Sequence, residues 1–286
     1  MEGRARAPGA GTILNALATR RGCAFAIELY TTATVRLSRD EPITGSIDGE
    51  SDADTSLIET CVQNTIQRYE PNSSLGGQVR TESEIPMAGG LKSSSAAANA
   101  TVLATLAALD REPTEIDLIE ATRIGVNAAR EAGVTVTGAF DDASASMLGG
   151  VTVTDNETDE LLVSDSFDRH VVIHTPPERA YSADADLSRC ERISPVAETV
   201  ETMARDGQYG RAMTINGFAY SAALGFATDR MMEALPAVDG VSLSGTGPST
   251  VAVGTKQQID AVADTWAAAP GTVRTTKTTN TGGYIK

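Results

Sequence analysis

Residues 85–100, IPMAGGLKSSSAAANA, place a Pro/Gly-rich turn and three consecutive serines directly before an alanine-rich run. Small residues let a backbone approach a ligand closely, and the free N–H groups at a helix start carry partial positive charge. We expect a helix over 95–109, and because it is apolar on every side we expect it to be buried. The junction is a candidate phosphate site around which the rest of the chain is organised.

Two common nucleotide-binding patterns are absent from the chain. The P-loop pattern GxxxxGK[ST] is missing, since Lys92 follows Leu91 and no Gly-Lys pair occurs in the sequence. The dinucleotide-binding pattern GxGxxG is missing as well. Phosphate binding at residues 85–100 therefore requires another architecture.

The length of the chain and its three cysteines limit the possible domain organisation and the kinds of site it can contain. With 286 residues, 41% of them hydrophobic, the chain is long enough for two domains, which we place at 1–155 and 156–286. No apolar stretch is long enough to span a membrane, and the first residues lack the apolar core of a signal peptide, so we expect a cytoplasmic protein without a membrane partner. Cys23, Cys61 and Cys190 form no CxxC pair, which argues against a zinc knuckle or a disulfide framework.

The chain is strongly acidic, with 38 Asp and Glu against 23 Lys and Arg and a formal net charge of −15. This charge makes nucleic acid an unexpected partner. Only four residues are lysine, namely Lys92, Lys256, Lys277 and Lys286. An acidic surface keeps any protein soluble, but scarce Lys with abundant Asp, Glu and Thr also resembles proteins of salt-loving archaea. We expect dilute buffer to destabilise the protein through self-repulsion.

Periodicity and turn residues predict most elements of the first half. A glycine-rich turn at 9–12 and two strands at 23–29 and 31–37 are expected, with residues 20–22 as the connection. An exposed acidic loop over 40–54 follows. Apolar residues at helical spacing predict a helix over 55–69. A strand over 77–84 then leads into the serine-rich junction. Thr114 is the expected N-cap of a further helix that ends at Gly133.

The second half is predicted to contain a hairpin, a strand, three helices and a strand pair. An acidic hairpin at 155–168 precedes a strand with His170 and His174 on one face; with no third ligand nearby, a metal site there is disfavoured. Ser194 is the expected capping residue before Pro195, and helices are expected over 195–205, 209–224 and 228–234. A strand, a glycine turn and a second strand occupy 241–253, and a last strand lies near the C-terminus.

Three acidic residues stand out, one alone and two adjacent to each other. Glu131 lies in the last turn of its predicted helix, where the macrodipole disfavours a carboxylate; it is either an exposed charge offset by Arg130 or a metal ligand. Asp141 and Asp142 lie among small residues in a segment otherwise poor in charge. They are either turn residues or catalytic carboxylates, and on an extended chain only one of them can face a substrate.

The junction resembles the phosphate-binding motif PxxxGLxSSAA of the GHMP kinase family, which includes galactokinases, homoserine kinases and mevalonate kinases. The matching residues are Pro86, Gly90, Leu91, Ser93, Ser94 and Ala96. Ala88 and Lys92 replace glycines of the usual motif, and Ser95 replaces an alanine. Residues 7–16, APGAGTILNA, and 243–249, LSGTGPS, resemble the first and third motifs of the same family.

Within the family, GLKSSSAAANA and TGAFDDASAS most resemble the archaeal shikimate kinases. The resemblance implies an α+β, two-domain GHMP kinase fold, with a βαβ-type N-terminal nucleotide-binding domain and a ferredoxin-like α/β sandwich at the C-terminus. It implies ATP and Mg²⁺ as cofactors, shikimate as the small-molecule substrate, and a monomer or homodimer with its active site in the cleft between domains. A homoserine or mevalonate kinase is the alternative.

The resemblance also assigns roles to residues. ATP would be bound by Pro86, Met87, Ala88, Gly89, Gly90, Leu91, Lys92, Ser93, Ser94, Ser95 and Ala96, with Thr246 and Gly247 closing over the phosphates. Ser94 and Glu131 would hold Mg²⁺, since Glu131 precedes Asp142 by the interval that separates the two acids in mevalonate kinases. Asp142 would orient or deprotonate the attacking hydroxyl, with Asp141 as the alternative.

Two further assignments stay open. Lys92 is either a solvated loop lysine or, as we favour, a group that holds phosphate charge. The substrate carboxylate requires a cation or a nest of amides, for which the candidates are Arg20, Arg21, Arg169 and Arg179. A non-catalytic binding protein of the same fold would be expected to lose the acids, whereas this chain keeps both Glu131 and Asp142.

Overall fold

The protein contains two β-sheets with helices packed against them. The computed structural model describes residues 1–86, 89–135, 138–177 and 187–286. The strands in chain order are β1 (Glu2–Leu14), β2 (Arg21–Arg39), β3 (Ile43–Ile47), β4 (Leu75–Ser83), β5 (Val151–Asp155), β6 (Glu160–Asp165), β7 (His170–Thr175), β8 (Gly240–Leu243), β9 (Thr250–Gly254), β10 (Thr272–Lys277) and β11 (Tyr284–Ile285). The helices are α1 (Ser56–Tyr69), α2 (Ser93–Ala108), α3 (Leu118–Glu131), α4 (Phe140–Leu148), α5 (Leu187–Glu191), α6 (Ser194–Arg205), α7 (Tyr209–Leu224), α8 (Asp229–Ala234) and α9 (Lys256–Trp266).

The first sheet is built on β2, a strand of 19 residues. Its neighbours follow the order β11-β1-β2-β4-β3, and the β5–β6 hairpin pairs with the first part of β2. All of these pairings are antiparallel except β3 with β4, which run parallel. β2 therefore connects both wings of the sheet, because β5 pairs at Arg21–Phe25 and β4 at Thr31–Arg39.

Helix α2 is the central helix of this first layer. Nearly all of its Ala, Leu, Val and Thr side chains are buried, and α2 contacts β1 and β2 on one side and α1 and α3 on the other. The buried core around it includes Val35, Val79, Leu103 and Leu106. The prediction of a buried apolar helix is confirmed, but the helix begins at Ser93 and not at residue 95, so the three serines belong to it.

The second sheet has the antiparallel order β10-β7-β9-β8 in the described part of the chain. Trp266 of α9 is fully buried against this sheet together with Val172, Val241 and Ala252. Helix α7 packs against β8 and also contacts β1 of the first sheet. The turn between β8 and β9 is thereby held against the end of β1.

Several sequence-based expectations need correction. The stretch 40–54 is not entirely a loop, since β3 forms within it and pairs with β4. Helix α3 is capped by Asp117 and not by Thr114, because the Asp117 carboxylate accepts from the N–H groups of Ile119 and Glu120 while residue 114 lies in a separate 3-10 turn. Ser194 is the first residue of α6, not its cap.

A larger difference concerns the Asp pair, whereas the division of the chain into two domains stays a prediction. Asp141 and Asp142 lie in the first turn of helix α4 and not on an extended segment. The first sheet includes β6 and the C-terminal β11, both beyond the predicted boundary at 155. Helix α9 was not predicted from the sequence. Within the described residues, no helix is both long and apolar enough to cross a membrane.

Candidate active site

A cavity of about 910 Å³ brings the three glycine- and serine-rich segments of the chain together. Its walls include the end of β1, the first turn of α2, the start of α4 and the turn between β8 and β9. Of the residues predicted to form the site, the cavity is lined by Gly90, Lys92, Ser93, Ser94, Ser95, Asp141, Asp142 and Thr246. The fold thus collects residues from four separate parts of the sequence.

The N-terminus of α2 opens into this cavity. Its capping residue is Lys92, in the left-handed conformation with φ 64°, and in the described part of the chain no side chain caps the helix. The first N–H groups of an α-helix lack partners within the helix and attract anions. Three serine hydroxyls follow immediately at Ser93, Ser94 and Ser95. This end of the helix is therefore a place where phosphate oxygens can be bound.

Gly90 packs directly against the turn between β8 and β9. Its φ is +76°, and a Cβ at this position would lie 2.1 Å from the carbonyl oxygen of Ser244. The Ser244 hydroxyl also donates to the Gly90 carbonyl at 2.9 Å. Only glycine fits such a conformation and such an approach without a shift of the backbone. The backbone at Gly90 and the turn Ser244–Gly247, here called the SGTG turn, are therefore packed directly against each other.

Side chains of the first sheet hold the SGTG turn in place. The Gly245 N–H donates to the Thr12 hydroxyl at 2.8 Å, and the Asn15 side-chain amide donates to the Gly245 carbonyl at 2.8 Å. Asn216 of α7 in turn accepts from the Asn15 N–H at 2.9 Å. Sequence reasoning did not single out these buried polar residues, because each partner lies about 200 or more positions away.

Lys92 and Asp142 form an ion pair inside the cavity. The Lys92 Nζ lies 3.0 Å from the Asp142 Oδ1, and the two side chains are only 7% and 16% exposed. Gly245 lies against the same ammonium group, since a Cβ added there would be 2.8 Å from Nζ. Lys92 is therefore not a solvated loop lysine. The pair places one positive and one negative group directly beside the uncapped start of α2.

Asp141 has a different environment from its neighbour. It is 4% exposed, and its Oδ1 accepts from the Asn156 side-chain amide at 2.6 Å. Its carboxyl group lies against Gly22, where an added Cβ would be 2.4 Å from Cγ. Burial and the adjacent Asp142 charge raise the pKa of Asp141 to about 7, although Lys92 and Asn156 act in the opposite direction. Asp142 is thus the member of the pair that contacts Lys92.

Glu131 lies apart from this arrangement. It is the last residue of α3, is exposed, and accepts a hydrogen bond from Asn64 of α1 at 3.2 Å. Neighbouring residues such as Val134 and Thr135 line the cavity, but Glu131 does not. In the described ranges, no three His, Cys, Asp or Glu side chains form a group that could hold a metal ion.

Other predicted contacts lie behind the cavity surface or outside the described residues. Leu91 and Ala96 are buried, and Pro86, Gly89 and Gly247 are not among the lining residues. Met87, Ala88 and Arg179 lie outside the described residues. Ala96 packs with the core under α2, so its part in the motif is to allow close packing.

The three arginines proposed for the substrate carboxylate that lie in the described ranges do not line the cavity. Arg21 pairs with Asp155, Arg169 pairs with Asp239 at 2.8 Å, and Arg20 is exposed in the turn before β2. Among the described residues that line the cavity, Lys92 is the one with a cationic side chain.

His174, which was considered as a metal ligand, contacts the Pro270 carbonyl at 3.0 Å. This contact agrees with a structural role in its strand.

Sequence comparison identifies relatives of the whole chain. The GHMP kinases N terminal domain profile matches residues 56–150. A protein named shikimate kinase from Halobacterium salinarum is 58% identical over 279 residues, covering 97% of both chains. Another of that name from Methanosarcina mazei is 51% identical over 268 residues, covering 93% of this chain and 90% of the relative. A relative from the genus Halobacterium agrees with the resemblance of this acidic composition to proteins of salt-loving archaea.

Solved structures share the fold at low sequence identity. The homoserine kinase from Cytophaga hutchinsonii has a TM-score of 0.77 at 17% identity, covering 100% of this chain and 97% of its own. The mevalonate kinase from Methanococcus jannaschii has a TM-score of 0.76 at 12% identity, covering 97% and 98%. These likenesses confirm the expected α+β GHMP kinase fold. Together with relatives that match nearly the full chain, they establish that this protein belongs to the GHMP kinase family.

Proposed function

We propose that this protein is an ATP-dependent shikimate kinase, which transfers the γ-phosphoryl group of ATP to the 3-hydroxyl of shikimate. The observation that supports the chemistry is the Lys92–Asp142 ion pair at the uncapped N-terminus of α2. The choice of shikimate rests on relatives of that name at 58% and 51% identity. The reaction is a step toward aromatic amino acids.

ATP fits the first turn of α2 on two observations. The helix start has no side-chain cap in the described part of the chain, and Gly90 lets the backbone pass close to the SGTG turn. N–H groups of Ser93, Ser94 and Ser95 would bind phosphate oxygens, and Thr246 would close the site from the second sheet. Donors fixed before the reaction stabilise developing charge without reorganising, which is the main requirement of phosphoryl transfer.

Mg²⁺ is the metal that we propose to accompany ATP. When bound, it would neutralise charge on the phosphates. The Ser94 hydroxyl lines the cavity and offers a hard oxygen ligand. The ligand role of Glu131 stays a prediction, because its carboxylate binds Asn64 and would have to exchange that hydrogen bond for the metal.

Asp142 is the group that we propose to act on the substrate hydroxyl. Its carboxylate would orient the hydroxyl and accept its proton while the hydroxyl oxygen bonds to the γ-phosphorus and the bond to ADP breaks. The Asp142 Oδ1 is buried and has no hydrogen-bond partner among the described residues, apart from the ion-pair contact with Lys92. Lys92 would hold charge on the transferred phosphoryl group.

ADP release with Mg-ATP at molar KCl tests this proposal against shikimate, homoserine, mevalonate and galactose. We expect turnover with shikimate to exceed turnover with each other acceptor by at least about a hundredfold in kcat/KM. A preference for homoserine or mevalonate would overturn the substrate assignment while leaving the kinase assignment intact. ATP hydrolysis without acceptor is the control for uncoupled turnover.

The cytoplasm is the location that we propose. All three cysteines are buried and free, which fits a reducing compartment. We propose that the protein is a monomer or a homodimer and has no other macromolecular partner.

A further inference from the structure

We propose that Asn156 is a positioning residue for phosphoryl transfer, which holds Asp141 turned away from the reacting groups so that Asp142 alone is presented to Lys92. The inference rests on the proposed kinase function. It concerns why two adjacent carboxylates, Asp141 and Asp142, have different partners and orientations in the site. Neither Asn156 nor its contact with Asp141 is part of the motifs that the family resemblance covers.

Asn156 contacts Asp141 at two points. Its side-chain amide donates to the Asp141 Oδ1 at 2.6 Å, and its Oδ1 accepts from the Asp141 backbone N–H at 3.1 Å. One amide group therefore binds both the side chain and the main chain of the same residue. A contact of this kind fixes the backbone position as well as the side-chain direction, because neither can rotate without breaking a buried hydrogen bond.

Asn156 is itself held rigidly. It is 2% exposed, and it follows β5 at the turn of the β5–β6 hairpin. The Thr154 hydroxyl donates to its Oδ1 at 2.8 Å, and its N–H donates to the Arg20 carbonyl at 2.8 Å. The contact therefore ties the start of α4 to the first sheet, which is the layer that also carries α2 and Lys92.

The start of α4 depends on this contact. The capping position is Ala139, which is left-handed with φ 51° and provides no side-chain hydrogen bond. The Asn156 Oδ1 supplies an acceptor for the first turn in place of a capping side chain. The Asp141 carboxyl group fills the space above Gly22, where an added Cβ would be 2.4 Å from its Cγ and its Oδ2.

Fixing Asp141 fixes the direction of Asp142. Successive residues on an α-helix are rotated by about 100° about its axis. With Asp141 held against β2 and Asn156, the next side chain points to the Lys92 ammonium, where the 3.0 Å ion pair forms. If Asp141 were free to turn, two carboxylates would compete for one cation, because Lys92 is the cationic side chain that the described residues bring to the cavity lining.

An exchange of the two side chains tests the inference. Asn156→Asp removes the donor and places two carboxyl groups face to face. We expect kcat to fall at least about tenfold while KM for ATP changes less than about threefold, because α2 is not altered. The double variant Asp141→Asn/Asn156→Asp restores a donor and an acceptor in exchanged places, and we expect its kcat to return to within about threefold of the unaltered enzyme.

Asn72→Asp is the matched control. It makes the same chemical change at an exposed residue that does not line the cavity, and it leaves the contact with Asp141 intact. Thermal unfolding of every variant separates folding from catalysis. A structural role alone would restore the unfolding temperature of the double variant without restoring kcat.

The inference is overturned if Asn156→Asp keeps full kcat, if the double variant recovers its stability but not its kcat, or if the double variant does not fold. If Asn156→Asp alone does not fold, the double variant still decides. The proposed function is tested separately by the acceptor that the unaltered enzyme prefers. Should that acceptor not be shikimate, the same comparison of variants is made with the preferred alcohol.

Discussion

The Lys92 ammonium lies 3.0 Å from the Asp142 carboxylate, although the two residues belong to different helices and different sequence motifs. Lys92 is the capping residue of α2, where phosphate would bind, and Asp142 lies in the first turn of α4, where the hydroxyl would be activated. The ion pair therefore joins the two parts of the site that we propose to bind phosphate and to activate the hydroxyl. It also gives the unusual lysine of the phosphate motif a defined partner.

Replacing Lys92 by Ala should lower kcat/KM by at least about a hundredfold, because the site loses its cationic side chain for charge on the transferred phosphoryl group. ADP release with saturating acceptor and varied ATP measures the effect. Lys256→Ala, at an exposed lysine that pairs with Asp260 on the surface, is the control. Unaltered ATP affinity and turnover in Lys92→Ala would contradict the assigned role.

Asp142→Asn should reduce kcat by at least about a hundredfold, since the amide can neither accept the proton nor balance the Lys92 charge. Asp141→Asn should lower kcat by less than about tenfold, because the amide oxygen can still accept from Asn156. Single-turnover measurements with both variants under equal conditions make the comparison. A larger loss for Asp141→Asn would assign the base to the other carboxylate.

The raised pKa of Asp141 predicts a pH dependence of stability. Its pKa is about 7 in the fold and about 3.9 in an unfolded chain, so between these values the folded state binds more protons. The contribution of this group to the free energy of unfolding therefore decreases from about pH 4 to about pH 7 and is constant above.

Thermal unfolding of the unaltered protein and of Asp141→Asn between pH 5 and pH 8, at constant salt, checks this sign. The difference in unfolding temperature should shift in favour of the variant as pH rises. Among the described residues, the titratable groups that interact with Asp141 are Cys23, Tyr220, Asp142 and Lys92, and they are the same in both proteins. A pH-independent difference would show that Asp141 is ionised throughout.

Charge at the cavity lining predicts a salt-dependent affinity for ATP. Glu50, Asp52 and Asp54 line the cavity, are exposed, and form no ion pair with the described residues, so they repel an anionic nucleotide. KM for ATP should fall as KCl rises to molar levels, because salt screens exposed charges. The triple variant Glu50→Gln/Asp52→Asn/Asp54→Asn should flatten this dependence at low salt.

The control for the salt effect is a second triple variant, Asp110→Asn/Glu112→Gln/Glu115→Gln. It removes the same number of charges at exposed positions that do not line the cavity. Equal changes of KM in both triple variants would attribute the effect to the net charge of −15 and not to the cavity.

Local sequence predicts the elements whose determinants are local. The apolar periodicity of α1, the small residues of α2 and the glycines between β8 and β9 suffice to place those elements within a few residues. β3 could not be predicted from its own residues, because it is only five residues long, has two apolar side chains, and pairs with β4 far along the chain. Asp141 and Asp142 carry no helical periodicity of their own, and α4 begins without a capping side chain.

The candidate site shows the same division. The family resemblance points to Ser94 and Asp142, and the scarcity of lysine in the chain draws attention to Lys92. Asn15 and Asn156 do not stand out, since a lone Asn in a sequence has many structural uses and their roles arise from partners far along the chain or across a hairpin. The Lys92–Asp142 contact likewise requires the packing of α2 against α4, which no motif encodes.

Direct detection of the product tests the central claim. The purified protein is incubated with Mg-ATP and shikimate at molar KCl, and the reaction is followed by ³¹P nuclear magnetic resonance, with Asp142→Asn in parallel. The account predicts one phosphate monoester resonance coupled to the proton at carbon 3 of shikimate, formed in equal amount to ADP and at least about a hundredfold more slowly with the variant. ADP without a shikimate ester, or an equal initial rate with Asp142→Asn, would contradict it.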